Sequence, residues 1–226
     1  MKISVITPIY LSTIEAERRV PLFQQCIESI ANQTYDKKKI EHIIVNDGSS
    51  LEFKVPDYPH IKVINQQNLQ RLTAYNTGFK AATGDAFCLL DSDDAFQHNY
   101  LHLVSENFKK YPKYKIINFG CVFKHTDGVE SKRDPFQPKK KKVGHEIFGG
   151  GQIVNGTFVF HRSVYDDLGA FPEGIKTIDV PWYKTTELFW TSPYDFSAYA
   201  QAEFPEIQPY FQVKHPDHPK GLPKEL

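Results

Sequence analysis

Charge of one sign is what this sequence lacks most plainly. Lys+Arg and Asp+Glu both number 27, so the 226 residues carry a formal net charge of zero. A balanced chain exerts no bulk electrostatic pull on nucleic acid or on an anionic membrane. Cysteine is scarce too. Cys26, Cys88 and Cys121 are odd in number and far apart, which excludes a disulfide framework and a zinc-binding pattern and points to a reducing compartment. No run approaches the roughly 20 apolar residues of a membrane span. The opening MKISVITPIY passes straight into a strand-like run, without the apolar stretch and cleavage site of a signal peptide. The expectation is a soluble, cytoplasmic protein, with peripheral membrane contact left open. There is no internal repeat, and the one low-complexity run, Lys139 to Lys142, reads as a solvated loop.

What is present is apolar and ordered. Hydrophobic residues make up 40% and aromatics 14%, enough for one substantial core. Lys2 to Thr7 is a β-branched run closed by Pro8, which suits a buried strand. Val20 to Ala31 places Leu22, Phe23, Cys26, Ile27 and Ile30 at helical spacing. Strands follow at Ile40 to Val45, Ile61 to Ile64 and Ala86 to Leu90, with a helix over Arg71 to Ala82. Further on, Tyr114 to Phe123 reads as one long strand, Gly156 to Phe160 as another, and Arg162 to Leu168 as a helix closed by Gly169. Strand and helix in alternation imply an α/β fold with a mostly parallel, Rossmann-like sheet flanked by helices. Such sheets bind ligands at the C-terminal ends of their strands. Here those ends are Thr7-Pro8, Asn46-Asp47-Gly48 and Asp91-Ser92-Asp93. The reading is a single domain over 1–226, with residues 1–95 as a nucleotide-binding half and 96–226 as an acceptor-facing half.

The stretch CLLDSDDAF, residues 88–96, runs three apolar residues into three carboxylates. Asp91 and Asp93 have the spacing to converge on one hard divalent cation, which would keep further positions for water and phosphate oxygens. The competing reading is helix capping. It is preferred for Asp94, ahead of a helix expected near Phe96.

ISVITPIY, HIIVNDGSS, RLTAYNTGFKAATGDAFCLLDSDDAF and NGTFVFHRSVYDDLGAF occur in this order, and together they resemble the family 2 glycosyltransferases, inverting enzymes of the GT-A fold. The resemblance is dense over residues 3–96, moderate over 155–180 and thin between. It implies transfer from a nucleotide-diphosphate sugar, a UDP-sugar first, to a carbohydrate, lipid-linked or protein acceptor, with manganese or magnesium as cofactor. By position it implies donor-binding roles for Pro8, Tyr10, Asp47, Asn76, Asp91 and Ser92, with Gly78 completing an N-x-G element. Asp93 resembles the direct metal ligand, and His215 a histidine that approaches the metal or diphosphate, with His218 behind it. The family has arginine before that asparagine, where this chain has Tyr75. Arg71, one helical turn earlier, is the candidate for the missing charge. Asp179 in GIKTIDVPWY matches the family's general base, although Ile178 stands where the family has Glu. Glu173 and Glu187 are reserves, and Trp182 and Trp190 divide between sugar stacking and core.

Two other readings compete. A sugar nucleotidylyltransferase needs a Gly-rich basic loop after the first strand, and TPIYLSTIEAERRV has no glycine. A nucleotide-sugar binding module without a base is the non-enzyme alternative, and Ile178 keeps it in play.

Overall fold

The computed structural model of the chain describes residues 1–13, 16–112, 115–124, 129–133, 158–171 and 210–213. The first apolar run forms β1 (Ile3–Ile9), and all seven of its residues are buried. A strand covered on both faces belongs in the middle of a sheet. It pairs in parallel with β2 (Ile40–Asp47) on one side and β4 (Ala86–Leu89) on the other, and β2 pairs in parallel with β3 (Ile61–Gln66). The intervening helices are α1 (Ala16–Ala31) and α2 (Arg71–Ala81). Then follow β5 (Asp94–Phe96), α3 (Tyr100–Lys110), β6 (Ile116–Asn118), β7 (Cys121–Lys124), β8 (Glu130–Arg133), β9 (Phe158–His161), α4 (Arg162–Leu168) and β10 (Tyr210–Val213). The main sheet has the order β3-β2-β1-β4-β9-β6, and a four-stranded sheet has the order β5-β10-β7-β8. β9 runs antiparallel to both β4 and β6. The main sheet is therefore mostly parallel, as expected, and it takes strands from both sides of residue 95.

Side-chain alternation along the strands divides the core in two. Ile3, Val5 and Ile9 of β1 join Phe23, Ile27 and Ile30 of α1 and Leu101 and Val104 of α3. Ile6 joins Tyr75 and Phe79 of α2 and Val164 of α4 on the opposite face. Phe79 is the hub of this second layer. Its ring centroid lies 5.4 Å from Phe87, 5.7 Å from Phe160, 5.3 Å from Tyr165 and 5.4 Å from Phe171. Burying one such ring is worth about 2–3 kcal/mol, before any ring-ring contribution. Gly78 lets α2 lie close on β1, since a Cβ there would collide with the Ile6 side chain. Arg162 ties the far end of α2 down. Its Nε and Nη2 donate to the carbonyls of Gly84 (2.8 Å) and Ala82 (2.6 Å), and its guanidinium lies 4.8 Å from the Phe87 ring centre.

Three expectations need correction. Tyr114 to Phe123 is not one strand. β6 pairs in the main sheet and β7 in the smaller one, with buried Phe119 between them against Tyr100 at 5.1 Å. An unbroken apolar run does not reveal that the chain changes sheets. Asp94 does not cap a helix near Phe96. It begins β5, which pairs with β10 in the register Gln212 to Asp94, and α3 starts only at Tyr100 behind Asn99. Finally, α1 begins at Ala16 rather than Val20. Its first turn is polar and escapes an apolar-periodicity reading, and Pro21 is carried inside the helix. No described helix is long and apolar enough to cross a membrane, and all three cysteines are free and buried.

One buried group makes stability depend on pH. His42 of β2 is 0% exposed, with Nε2 3.0 Å from the Thr7 hydroxyl oxygen and no partner for Nδ1 among the described residues. Burial, helped by the charge of His60, holds its pKa down at about 3 against an ordinary 6.5. The unfolded chain therefore binds a proton that the folded chain refuses. Stability is full above 6.5 and falls as pH drops toward about 3, at about 1.4 kcal/mol per pH unit. Urea unfolding at about pH 7.5 and about pH 5 is expected to differ by about 2 kcal/mol from this group. His42→Gln is expected to flatten that difference, and an unchanged slope in the variant would assign it elsewhere.

Candidate active site

The parallel register brings the C-terminal ends of four strands to one rim. Ile9 of β1 lies opposite Asn46 of β2, and Asp47 opposite Gln66 of β3. A cavity of about 300 Å³ opens there. Pro8, Ile9 and Tyr10 line it from β1 and its exit, and Asp47 from the end of β2. Asn68, Gln70 and Arg71 line it from the β3–α2 junction, and Asp91, Ser92 and Asp93 from the chain after β4. Arg19 reaches in from the first turn of α1.

Asp47 knits the rim together. It is 4% exposed, and its Oδ1 accepts from Gln66 Nε2 at 2.7 Å and from the Leu69 amide at 2.9 Å. The turn beside it is built by short side chains. Asn46 Oδ1 accepts from the Ser49 amide at 3.0 Å, and Ser49 Oγ accepts from the Leu11 amide at 2.9 Å. Gly48 sits at φ +74°, and a Cβ there would lie 2.6 Å from the Asn68 nitrogen. Only glycine meets both demands. Gln70, which immediately precedes α2, holds φ 77° and ψ 157° without a side-chain capping bond. That backbone region is strained for any residue but glycine, so the loop carries strain where it faces the cavity.

The acidic end of β4 is crowded. Asp91 Oδ1 accepts from the Tyr75 hydroxyl at 2.7 Å, and Oδ2 lies 3.6 Å from Arg71 Nη1. The Asp91 carbonyl accepts from the Asp94 amide at 3.0 Å and from Cys26 Sγ at 3.7 Å. Arg19 Nη2 donates to Ser92 Oγ at 3.3 Å. Asp91 pushes the Arg71 pKa up. The Arg71 side chain is 45% exposed, so the ion pair adds little to stability. Burial, then the charges of Asp91 and Asp93, pushes the Asp94 carboxyl well above the usual range, with Arg71 opposing. Burial first, then Asp91, likewise holds the Tyr75 phenol well above its ordinary value. It stays a hydrogen-bond donor throughout the neutral range.

Seven of the residues singled out in the sequence thus line one cavity: Pro8, Tyr10, Asp47, Arg71, Asp91, Ser92 and Asp93. Asn76 does not. It is 0% exposed, its Nδ2 donates to the Phe171 carbonyl at 2.7 Å, and its Oδ1 accepts from the Phe171 amide at 2.8 Å. Its amide holds chain to chain rather than facing the cavity. Asp179, His215, Glu173, Glu187, Trp182, Trp190 and His218 lie outside the described residues. Arg19, Asn68 and Gln70 were not foreseen. Starting α1 at Ala16 would have placed Arg19 beside the strand ends, but nothing in the sequence marks Asn68 or Gln70. Among the described residues, no three His, Cys, Asp or Glu side chains form a ready metal cluster.

Comparison with known proteins agrees with this architecture. The sequence matches the family described as Glycosyl transferase family 2 over residues 4–169. Glycosyltransferase GlyA of Streptococcus pneumoniae serotype 4 (strain ATCC BAA-334 / TIGR4) is 34% identical over 135 residues, which cover 57% of this chain and 18% of GlyA. The uncharacterized glycosyltransferase YwdF of Bacillus subtilis (strain 168) is 33% identical over 186 residues, covering 76% of this chain and 62% of YwdF. The chain thus spans less than two thirds of either relative. The crystal structure of S. aureus TarS 1-349 in complex with UDP-GlcNAc superposes with a TM-score of 0.64 at 17% identity, covering 95% of this chain and 59% of that one. At that identity the likeness concerns the fold, which is GT-A. With the match running from β1 through α4, the chain belongs to glycosyl transferase family 2.

Proposed function

We propose that the chain is an inverting glycosyltransferase that moves a sugar from a nucleotide-diphosphate sugar, a UDP-sugar first, to an acceptor hydroxyl. One observation carries the reading: the ends of four parallel strands converge on a cavity that offers Asp47, Asp91 and Asp93 beside Arg19 and Arg71. Carboxylates suit the hydroxyls and N–H groups of a nucleoside, and guanidinium groups suit phosphate oxygens. Family membership supports the same chemistry, and TarS 1-349, which shares the fold, has been crystallised with UDP-GlcNAc and with UDP.

The reaction is a single displacement. The acceptor oxygen attacks the anomeric carbon, and the carbon–oxygen bond to the diphosphate breaks with its electron pair leaving on the nucleoside diphosphate. Asp179 takes the hydroxyl proton, as general base. The site suits a divalent cation, because Asp93 offers hard carboxylate oxygens, and burial together with the charges of Asp91 and Asp93 already disfavours ionisation of Asp94. Asp93 would hold manganese or magnesium, with His215 as a second candidate, and diphosphate oxygens would complete the incomplete protein set. When bound, the cation supplies positive charge for the leaving diphosphate. Arg19 and Arg71 add positive charge at the same rim, and Asp47 holds the loop at Leu69 that borders the cavity.

The experiment is calorimetric titration of UDP, GDP, TDP and CDP with and without manganese. UDP is expected to bind only with the metal, and binding of no nucleotide under either condition would overturn the reading. Asp93→Ala is expected to abolish metal-dependent UDP binding; unchanged affinity with manganese would remove Asp93 as ligand. Asp179→Asn is expected to bind UDP normally and lose transfer about 100-fold or more. Wild-type turnover in that variant would place the base elsewhere, with Glu187 next.

A further inference from the structure

We propose that Tyr75 is a positioning residue for nucleotide binding, whose hydroxyl, together with Arg71, orients the Asp91 carboxylate toward the ribose hydroxyls of the bound nucleoside diphosphate. The proposal rests on the transferase reading above and assigns a role within that site.

Packing alone does not account for a tyrosine at this position. The ring is 1% exposed and meets Phe79 at 6.3 Å and Phe171 at 6.2 Å between centroids. A phenylalanine would make the same contacts. The hydroxyl is the difference, and burying one costs free energy unless it is bonded. It meets that need on Asp91 Oδ1 at 2.7 Å. Arg71 precedes Tyr75 by four residues on α2, so the two side chains share one face of the helix. One takes Oδ1 and the other lies against Oδ2 at 3.6 Å, so α2 grips both oxygens of a single carboxylate. The backbone of Asp91 is held as well, through the Cys26 and Asp94 bonds to its carbonyl.

A carboxylate gripped at both oxygens has a set orientation. Each oxygen accepts about two bonds, and with one contact on each set by α2 the carboxylate meets ligand hydroxyls in that orientation. A cation approaching Oδ2 would meet the Arg71 guanidinium already there. Asp93 lines the same cavity two residues on and is the carboxylate left to the cation. The contacts that α2 makes with Asp91 agree with the roles that the family resemblance implies for the two aspartates.

The test is a double-mutant cycle read by calorimetry, with UDP and its 2′- and 3′-deoxy forms in the presence of manganese. Tyr75→Phe keeps the ring and is expected to weaken UDP binding about tenfold, the scale of one hydrogen bond to a charged group. Discrimination against at least one deoxy form is expected to shrink in parallel. In an Asp91→Ala background, adding Tyr75→Phe is expected to change UDP affinity by less than about twofold. Equal weakening in both backgrounds, or wild-type affinity in the single variant, would overturn the role. So would a fall in the unfolding temperature of Tyr75→Phe beyond about 5 °C, because the hydroxyl would then be holding the fold. Wild-type protein that binds no nucleotide would be a separate outcome, overturning the transferase reading and this role with it.

Discussion

Like charges held close together repel, and the end of β4 sets Asp91, Asp93 and Asp94 within four residues at the mouth of a cavity. At about 4 Å, two like charges cost about 1 kcal/mol in water and several times that where solvent is partly excluded. The surroundings answer this one stress. The Arg71 pKa rises beside Asp91, the Asp94 carboxyl is driven toward its neutral form, and Tyr75 lends a hydroxyl that does not ionise in the neutral range. Arg19 arrives from a different helix to meet Ser92 in the same segment. A rim in this state favours ligands that bring a cation or a set of hydroxyl donors, and the proposed donor brings both.

Such a concentration of charge is tolerable only on a rigid support. β4 and α2, the two elements that meet at Asp91, also contribute Phe87 and Phe79 to the aromatic layer. Phe87 of β4 and Phe79 of α2 stack at 5.4 Å, and Arg162 covers the Phe87 ring while bonding the carbonyls just beyond α2. The site stands at the ends of these elements, where packing sets its geometry, and among the described residues Gln70 is the one non-glycine at positive φ. Substitutions in the second core layer would therefore reach the site through these two elements, without touching the cavity.

Much of this was legible in the sequence, for identifiable reasons. The central strands announce themselves because burial on both faces leaves unbroken runs such as ISVIT and HIIV, and their polar tails are the rim. Asp47, Asp91 and Asp93 could be singled out because carboxylates directly after an apolar run demand an explanation. The failures share a cause, which is dependence on partners distant in sequence. Whether Asp94 caps a helix or opens a strand depends on β10, more than a hundred residues later. The division of residues 114–123 between two sheets depends on β9 on one side and on β8 and β10 on the other. Asn76 was expected beside the donor from the family resemblance of AYNTG, and its side-chain amide bonds the backbone of Phe171.

That last contact bears on how the two ends of the protein can diverge. Asn76 engages Phe171 through both main-chain groups, in the manner of a paired strand, so the bond depends on where residue 171 lies and is blind to which side chain it carries. The joint is double, because the Phe171 ring also packs on Phe79 at 5.4 Å and on Tyr75 at 6.2 Å. The hydrogen bonds would survive a change of side chain at position 171, and the packing of the Phe171 ring on Phe79 and Tyr75 would not. Position 171 can therefore vary only among residues that keep the aromatic layer filled, while Asn76 holds the backbone there in place.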